Sequence, residues 1–264
     1  MVLFHYLSAL FLVLGTVSLK AQGGKALTGS GLYKDKIFWL NWDLDNNELP
    51  GDAITTGVSR SFTSPSGVIY TAIVSNVTGS PLSSSSYDYG GNNFPFGYGN
   101  IGGNDGAGNI IGINNGADGN LVSLRITMVA NYPNGTTGNV AAFVIAGTET
   151  LNGPAEYYEI TTPSGRIKYM DKYILNDDWA NMSTQLQVSS AGSTVKVTNA
   201  TSGDSKGDAL LVAEDVPYVD VAVKGGGGQH FALGFIENVD FSDAPASYGQ
   251  AVHVVNSSIT GGIC

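Results

Sequence analysis

VSLRITMVA, residues 122–130, gives the clearest sign of how this chain folds. Every second residue from Val122 to Ala130 is apolar, and most of the residues between them are polar. A period of two places alternate side chains on opposite faces of an extended strand. The stretch therefore predicts a β-strand with one buried face.

The same alternation recurs along most of the chain. Apolar residues two apart occur at Leu186 and Val188, at Val195 and Val197, at Val219, Val221 and Val223, and at Phe231, Leu233 and Phe235. Further strands are predicted at 37–42, 58–62, 68–77, 140–146, 156–162 and 166–174. Turn residues such as Asn134-Gly135 separate them, and no stripe with helical spacing appears. The pattern predicts one all-β domain, a β-sandwich over residues 22–240.

The first 21 residues predict export. Residues 2–19 are almost continuously apolar, and Ala21 lies where a signal peptidase would cut. The alternative is a single membrane anchor, but the apolar run is short for spanning a bilayer. We therefore expect a signal peptide at 1–21 and a secreted or cell-surface protein. After cleavage we expect no membrane insertion.

Composition excludes some classes of function. The net charge is −10 and only 12 residues are basic, which argues against a nucleic-acid partner. The one cysteine, Cys264, allows no disulfide within the chain. No G-x-S-x-G motif occurs, and His230 follows four glycines at a strand start, where a structural imidazole is expected.

Residues 79–120 form an excursion that is rich in Gly and Asn and too long for an ordinary connection. Its aromatic rings offer flat apolar faces on which sugars or partner side chains can stack, and its amides offer donors and acceptors. The alternative is that the rings fold inward and cover an open face of the sandwich. The predicted ligand-binding residues are Tyr87, Tyr89, Asn93, Phe96, Tyr98 and Asn100.

Two groups of acidic residues suggest other chemistry. Asp43 and Asp45 alternate as the oxygen ligands of a calcium loop do, although a solvated Asx-rich turn explains the same residues. Glu156 and Glu159 are the best pair for glycoside hydrolysis. A spacing of three places them on opposite faces of a strand, so they cannot flank one bond. No cofactor is predicted, and calcium at Asp43 and Asp45 stays an open alternative to the Asx-rich turn.

Several segments resemble a known family. The opening strand, residues 29–42 (GSGLYKDKIFWLNW), resembles the start of the non-repetitive ligand-binding domain of CshA-type fibrillar surface adhesins. Similar blocks follow in the same order at 68–79, 142–147, 156–161 and 231–236, so that the likeness covers residues 29–238. Residues 239–249 look like the linker that follows such domains, and we expect 241–264 to be a linker or the start of a further region.

The resemblance implies a lectin-like β-sandwich of the jelly-roll type without enzymatic activity. It further implies adhesion to a host or neighbouring-cell glycoprotein or glycan, with extracellular matrix glycoproteins such as fibronectin as the family's best-known partners. Where relatives carry a tryptophan- or aspartate-bearing loop, this chain has the Gly/Asn-rich excursion, so the partner's identity does not carry over. The alternative function is a carbohydrate-binding module of a longer secreted polysaccharide-active enzyme.

Overall fold

A computed structural model describes residues 23–64, 66–79, 81–86, 93–103, 110–116, 119–203, 206–237, 239–241 and 252–254. The predicted signal peptide, Tyr87, Tyr89 and most of the predicted linker lie outside these residues. The strands in chain order are β1 (Gly23–Gly24), β2 (Ala26–Thr28), β3 (Ile37–Leu40), β4 (Ala53–Ile54), β5 (Ser59–Thr63), β6 (Ile69–Thr78), β7 (Leu82–Ser85), β8 (Gly99–Ile101), β9 (Gly112–Asn114), β10 (Leu121–Asn131), β11 (Thr137–Gly147), β12 (Tyr157–Thr161), β13 (Ile167–Tyr173), β14 (Thr184–Ser189), β15 (Thr194–Asn199), β16 (Asp208–Val216), β17 (Tyr218–Lys224), β18 (His230–Ile236), β19 (Val239–Phe241) and β20 (Val252–Val254).

Helical structure is short in the described part of the chain. One α-helix, α1, spans Phe94–Gly97, and single 3-10 turns lie at Leu175–Asp177, Trp179–Asn181 and Ser190–Gly192. None of these helices has the length and apolar character needed to span a bilayer.

Two antiparallel sheets build the domain, which confirms the predicted all-β sandwich. Sheet I has the strand order β14–β15–β12–β17–β10–β6–β5. Sheet II runs β13–β16–β11–β18, and β18 then pairs with β3 through one half and with β9 through the other. The hairpin β10–β11 turns around Asn134-Gly135 and joins the two sheets, because β10 lies in sheet I and β11 in sheet II.

The inner core fills the space between the sheets. Val122, Leu124 and Ile126 of β10 point into it, as their period of two predicts. Phe143 and Phe235 face them from sheet II. Burying side chains of this size contributes roughly 1.5–3 kcal/mol each, so this layer is the main source of stability.

The outer core lies on the opposite face of sheet II. Trp39, Val144 and Val212 point outward there, and residues of α1 and β8 cover them. Strand β8 pairs with β2, so the N-terminal segment and part of the excursion form one cover layer over the sheet. Strand β18 is consequently buried at every position from His230 to Ile236, although its sequence predicted only one buried face.

Candidate functional site

Helix α1 places the middle of the excursion, residues 93–103, against the outer face of sheet II. Pro95 lies at the start of the helix, where its fixed φ is favourable and its missing N–H is not needed. Gly97 allows the helix to approach β13 closely, because a Cβ at that position would lie 2.9 Å from the Cβ of Tyr173. Phe94 is fully buried and packs edge-on against Trp39, with the ring centroids 5.0 Å apart.

Asn93 and Tyr98 lie inside the protein rather than on its surface. Tyr98 is fully buried, and its hydroxyl donates to Asp171 Oδ2 at 2.5 Å. Burial, and next the charge of Asp171, raise the pKa of Tyr98. Asn93 donates to Thr150 and accepts from the amide of Leu175 at 2.8 Å. Because both side chains are buried in this conformation, neither is open to an external ligand, and both instead fix the cover layer over the apolar outer face of sheet II.

Phe96 and Asn100 remain half-exposed. The Phe96 carbonyl accepts the amide of Ser30 at 2.9 Å, which joins α1 to the N-terminal segment. Asn100 adopts a left-handed backbone with φ at 48°, a conformation that asparagine tolerates better than most residues. Their role in ligand binding stays a prediction, as does that of Tyr87 and Tyr89.

Sequence reasoning missed Trp179. The structure places it in the turn Leu175–Asn181, which α1 contacts and which Asn93 holds through the Leu175 amide. The indole is 43% exposed, and Lys172 Nζ lies 5.5 Å from the centroid of a Trp179 ring. A signal was present in the sequence, since Asn176-Asp-Asp-Trp-Ala-Asn181 sets a tryptophan among turn-forming polar residues.

The acidic turn consists of Asp43, Asp45 and Asp52, each with a carboxylate oxygen within 4.8 Å of the others'. Backbone amides donate to these carboxylates; for example, Asn47 N donates to both Asp43 and Asp45 at 3.1 Å. Burial lowers the pKa of Arg60. The negative charges of Asp43 and Asp52 raise it and so offset part of this lowering. Arg60 and the backbone amides satisfy much of what a cation would supply, which favours the Asx-rich turn over calcium binding at Asp43 and Asp45.

His230 is buried and hydrogen-bonded, as predicted. Its Nδ1 lies 2.9 Å from Ser85 Oγ, and its Nε2 lies 3.4 Å from Glu149 Oε2. Burial lowers the pKa of His230 to about 4, and burial together with Glu156 raises the pKa of Glu149 to about 7. The serine is a poor nucleophile here, because it is only 3% exposed and its hydroxyl lies against the backbone of Gly112.

The two carboxylates considered for glycoside hydrolysis have separate tasks. Glu156 precedes β12, and its oxygens accept the amides of Gly226 at 3.0 Å and Asn152 at 2.5 Å. Glu159 lies on the outer face of sheet I opposite Ala222 and Lys196. Nothing in these contacts directs the pair toward one glycosidic bond.

Comparison with known proteins identifies the family. None of the curated proteins compared with the chain matches it. A family model described as surface adhesin CshA non-repetitive domain 2 matches residues 35–236, which include β3 through β18 and therefore most of both sheets. The chain belongs to the family of the surface adhesin CshA non-repetitive domain 2.

Proposed function

We propose that this protein is a non-enzymatic adhesion module that binds a glycoprotein or glycan outside the cell. Membership of a surface-adhesin family gives the chain an adhesion role at the cell surface. The glycoprotein or glycan ligand, export by the 1–21 signal peptide and the lectin-like mode of binding are parts of the proposal. The observation that carries it is the family match across both sheets.

The chemistry of the described residues supports a binding role without turnover. The best serine–histidine pair is enclosed, and the best carboxylate pair is divided between a loop contact and a sheet face. The exposed aromatic and amide groups of the turn Leu175–Asn181, by contrast, suit recognition of hydroxyl-bearing ligands. A rigid sandwich that presents such groups on loops is a common arrangement for binding proteins.

The test is a binding assay with a matrix glycoprotein. The protein is applied to immobilised fibronectin, to enzymatically deglycosylated fibronectin and to serum albumin, and bound protein is measured by surface plasmon resonance. We expect saturable binding to native fibronectin, weaker binding to the deglycosylated form and none to albumin. Equal responses on all three surfaces would contradict the proposal. So would hydrolysis of any polysaccharide that is lost in Glu156→Gln.

A further inference from the structure

Trp179 differs from the other two tryptophans of the chain. Trp39 and Trp42 are fully buried, in the outer and inner core respectively, whereas 43% of the Trp179 side chain is exposed. An exposed indole does not contribute the stabilisation that its burial would give. Among the described residues, neither core includes this ring.

The turn that carries Trp179 is held in place without a ligand. Asn181 N donates to Asp178 O at 3.0 Å, and the Asn181 side-chain amide donates to both oxygens of the Asp178 carboxylate, at 2.9 and 2.7 Å. Asn176 and Asp177 both have a φ of 55°, a left-handed conformation that asparagine and aspartate tolerate better than most residues. Together with the Asn93 contact, these bonds order the turn in advance, which reduces the entropy that a ligand would have to offset.

We infer that this turn is a binding site for an uncharged pyranose, and this inference rests on the proposed function. Four of the six residues from 176 to 181 carry a planar amide or carboxylate, the groups that exchange hydrogen bonds with vicinal hydroxyls. The indole offers the flat apolar surface on which the C–H face of a sugar ring packs. The Asp178 carboxylate, oriented by Asn181, is the group that we assign as acceptor for the sugar hydroxyls.

Charge selects among sugars. Asp177 and Asp178 outnumber Lys172 at the turn, and the whole chain carries a net charge of −10. Sialylated and sulfated glycans therefore meet repulsion, whereas neutral hexoses and N-acetylhexosamines do not. A basic peptide would satisfy the same charges, and the titration with oligolysine described below tests for it.

The fluorescence of Trp179 makes the site directly testable. The full-length protein is titrated with methyl glycosides of glucose, galactose, mannose and N-acetylglucosamine, with 3′-sialyllactose and with oligolysine, while tryptophan emission and acrylamide quenching are recorded. We expect at least one neutral glycoside to shift the emission and protect it from acrylamide in a saturable way. Neither sialyllactose nor oligolysine should do so at the same concentration.

Variants separate the site from the rest of the protein. Trp179→Phe should abolish the response, because the two remaining tryptophans are buried, and Asp178→Asn should weaken the affinity about tenfold through loss of charge-assisted hydrogen bonds. Tyr157→Ala, on the outer face of sheet I, is the matched control and should leave the response unchanged. Thermal unfolding of each variant verifies that it is folded.

The outcomes for this inference and for the proposed function differ. If wild type and Trp179→Ala bind fibronectin equally strongly, and no neutral glycoside changes the fluorescence of the wild type, the pyranose site is overturned. The proposed adhesion function would still hold. A response to oligolysine alone also overturns the pyranose site. A glycoside response in a protein that binds no glycoprotein supports the site and contradicts the proposed function.

Discussion

Sheet I and sheet II differ in what covers their outer faces. The outer face of sheet I carries half-exposed residues such as Tyr157, Arg125 and Asp220, and Arg125 pairs with Asp220 at 2.8 Å. The outer face of sheet II carries Trp39 and Val144 and is buried beneath α1, β8 and β2. The strands of sheet I therefore alternate apolar and polar residues, because only one face of that sheet is buried. Strands of sheet II contain continuous apolar runs, because both of its faces are buried.

The difference between the two sheets indicates a structural role for part of the excursion. Asn93, Phe94 and Tyr98 of the excursion help to cover the outer face of sheet II, whereas Trp179, in a turn that contacts α1, is exposed. Part of the excursion is therefore a structural cover, and its part in ligand binding stays a prediction. The predictions below ask whether the cover belongs to the cooperative fold.

The largest loss of stability is expected when a buried aromatic ring is removed from either core. Phe235→Ala removes a ring stacked on Tyr70 in the inner core, and Phe94→Ala removes one packed on Trp39 in the outer core. Both rings are fully buried, so each change should lower the free energy of unfolding by about 3–5 kcal/mol. Urea denaturation measures both, with the half-exposed Phe96→Ala as the milder control. If Phe94→Ala costs less than about 1 kcal/mol, the cover layer is not part of the cooperative fold.

The next effect concerns a polar contact between the sheets. Tyr158 of β12 donates to Asp208 Oδ1 of β16 at 2.7 Å, and burial raises the pKa of Asp208 from 3.8 to about 7. Below pH 4 this carboxyl is protonated in both states. As pH rises from 4 to 7 only the unfolded state loses the proton, so Asp208 progressively destabilises the fold, by on the order of 4 kcal/mol at pH 7.

Asp208→Asn removes this dependence. We expect the stability of the variant relative to the wild type to increase between pH 4 and 7 in urea unfolding at a series of pH values. For His230→Asn we expect the stability relative to the wild type to decrease as pH rises from 4 to 6.5. The reason is that the pKa of His230 is lowered in the folded protein, so the wild type loses stability as pH falls below 6.5. A constant difference between Asp208→Asn and wild type across this range would mean that folding does not shift the pKa of Asp208.

The smallest effect is expected at the acidic turn. Because Arg60 and backbone amides already interact with its carboxylates, we expect EDTA to leave the melting temperature unchanged. The measurement is thermal unfolding with EDTA and after addition of calcium, for the wild type and for Asp45→Asn. A fall in EDTA that calcium reverses in the wild type alone would establish the calcium site at Asp43 and Asp45.

Much of the fold was predictable because strands with one buried face leave a local signal. The alternating residues of β10 and β17 are buried as expected. In β14 the alternation predicted burial for Val188, yet it is 39% exposed, because β14 is the edge strand of sheet I. Alternation marks a face but does not say how far the opposite sheet extends over it.

The candidate site was less predictable. Composition singled out the excursion, but nothing local distinguishes a tyrosine that faces a ligand from one that, like Tyr98, binds Asp171 inside the protein. That difference depends on a partner 73 residues away. Trp179 was overlooked for a related reason: tryptophan is usually buried, and only the packing of the described residues shows that neither core includes this one.

By itself, the sequence determined the fold class, the family and the absence of a disulfide within the chain, because alternation, ordered motifs and a cysteine count can be read from the order of residues alone. Only the tertiary structure decided which aromatic rings are interior and which meet the solvent. Burial is fixed by contacts between residues far apart in the chain. Here the cover layer over sheet II buries Tyr98, whereas Trp179 lies outside that layer and is exposed.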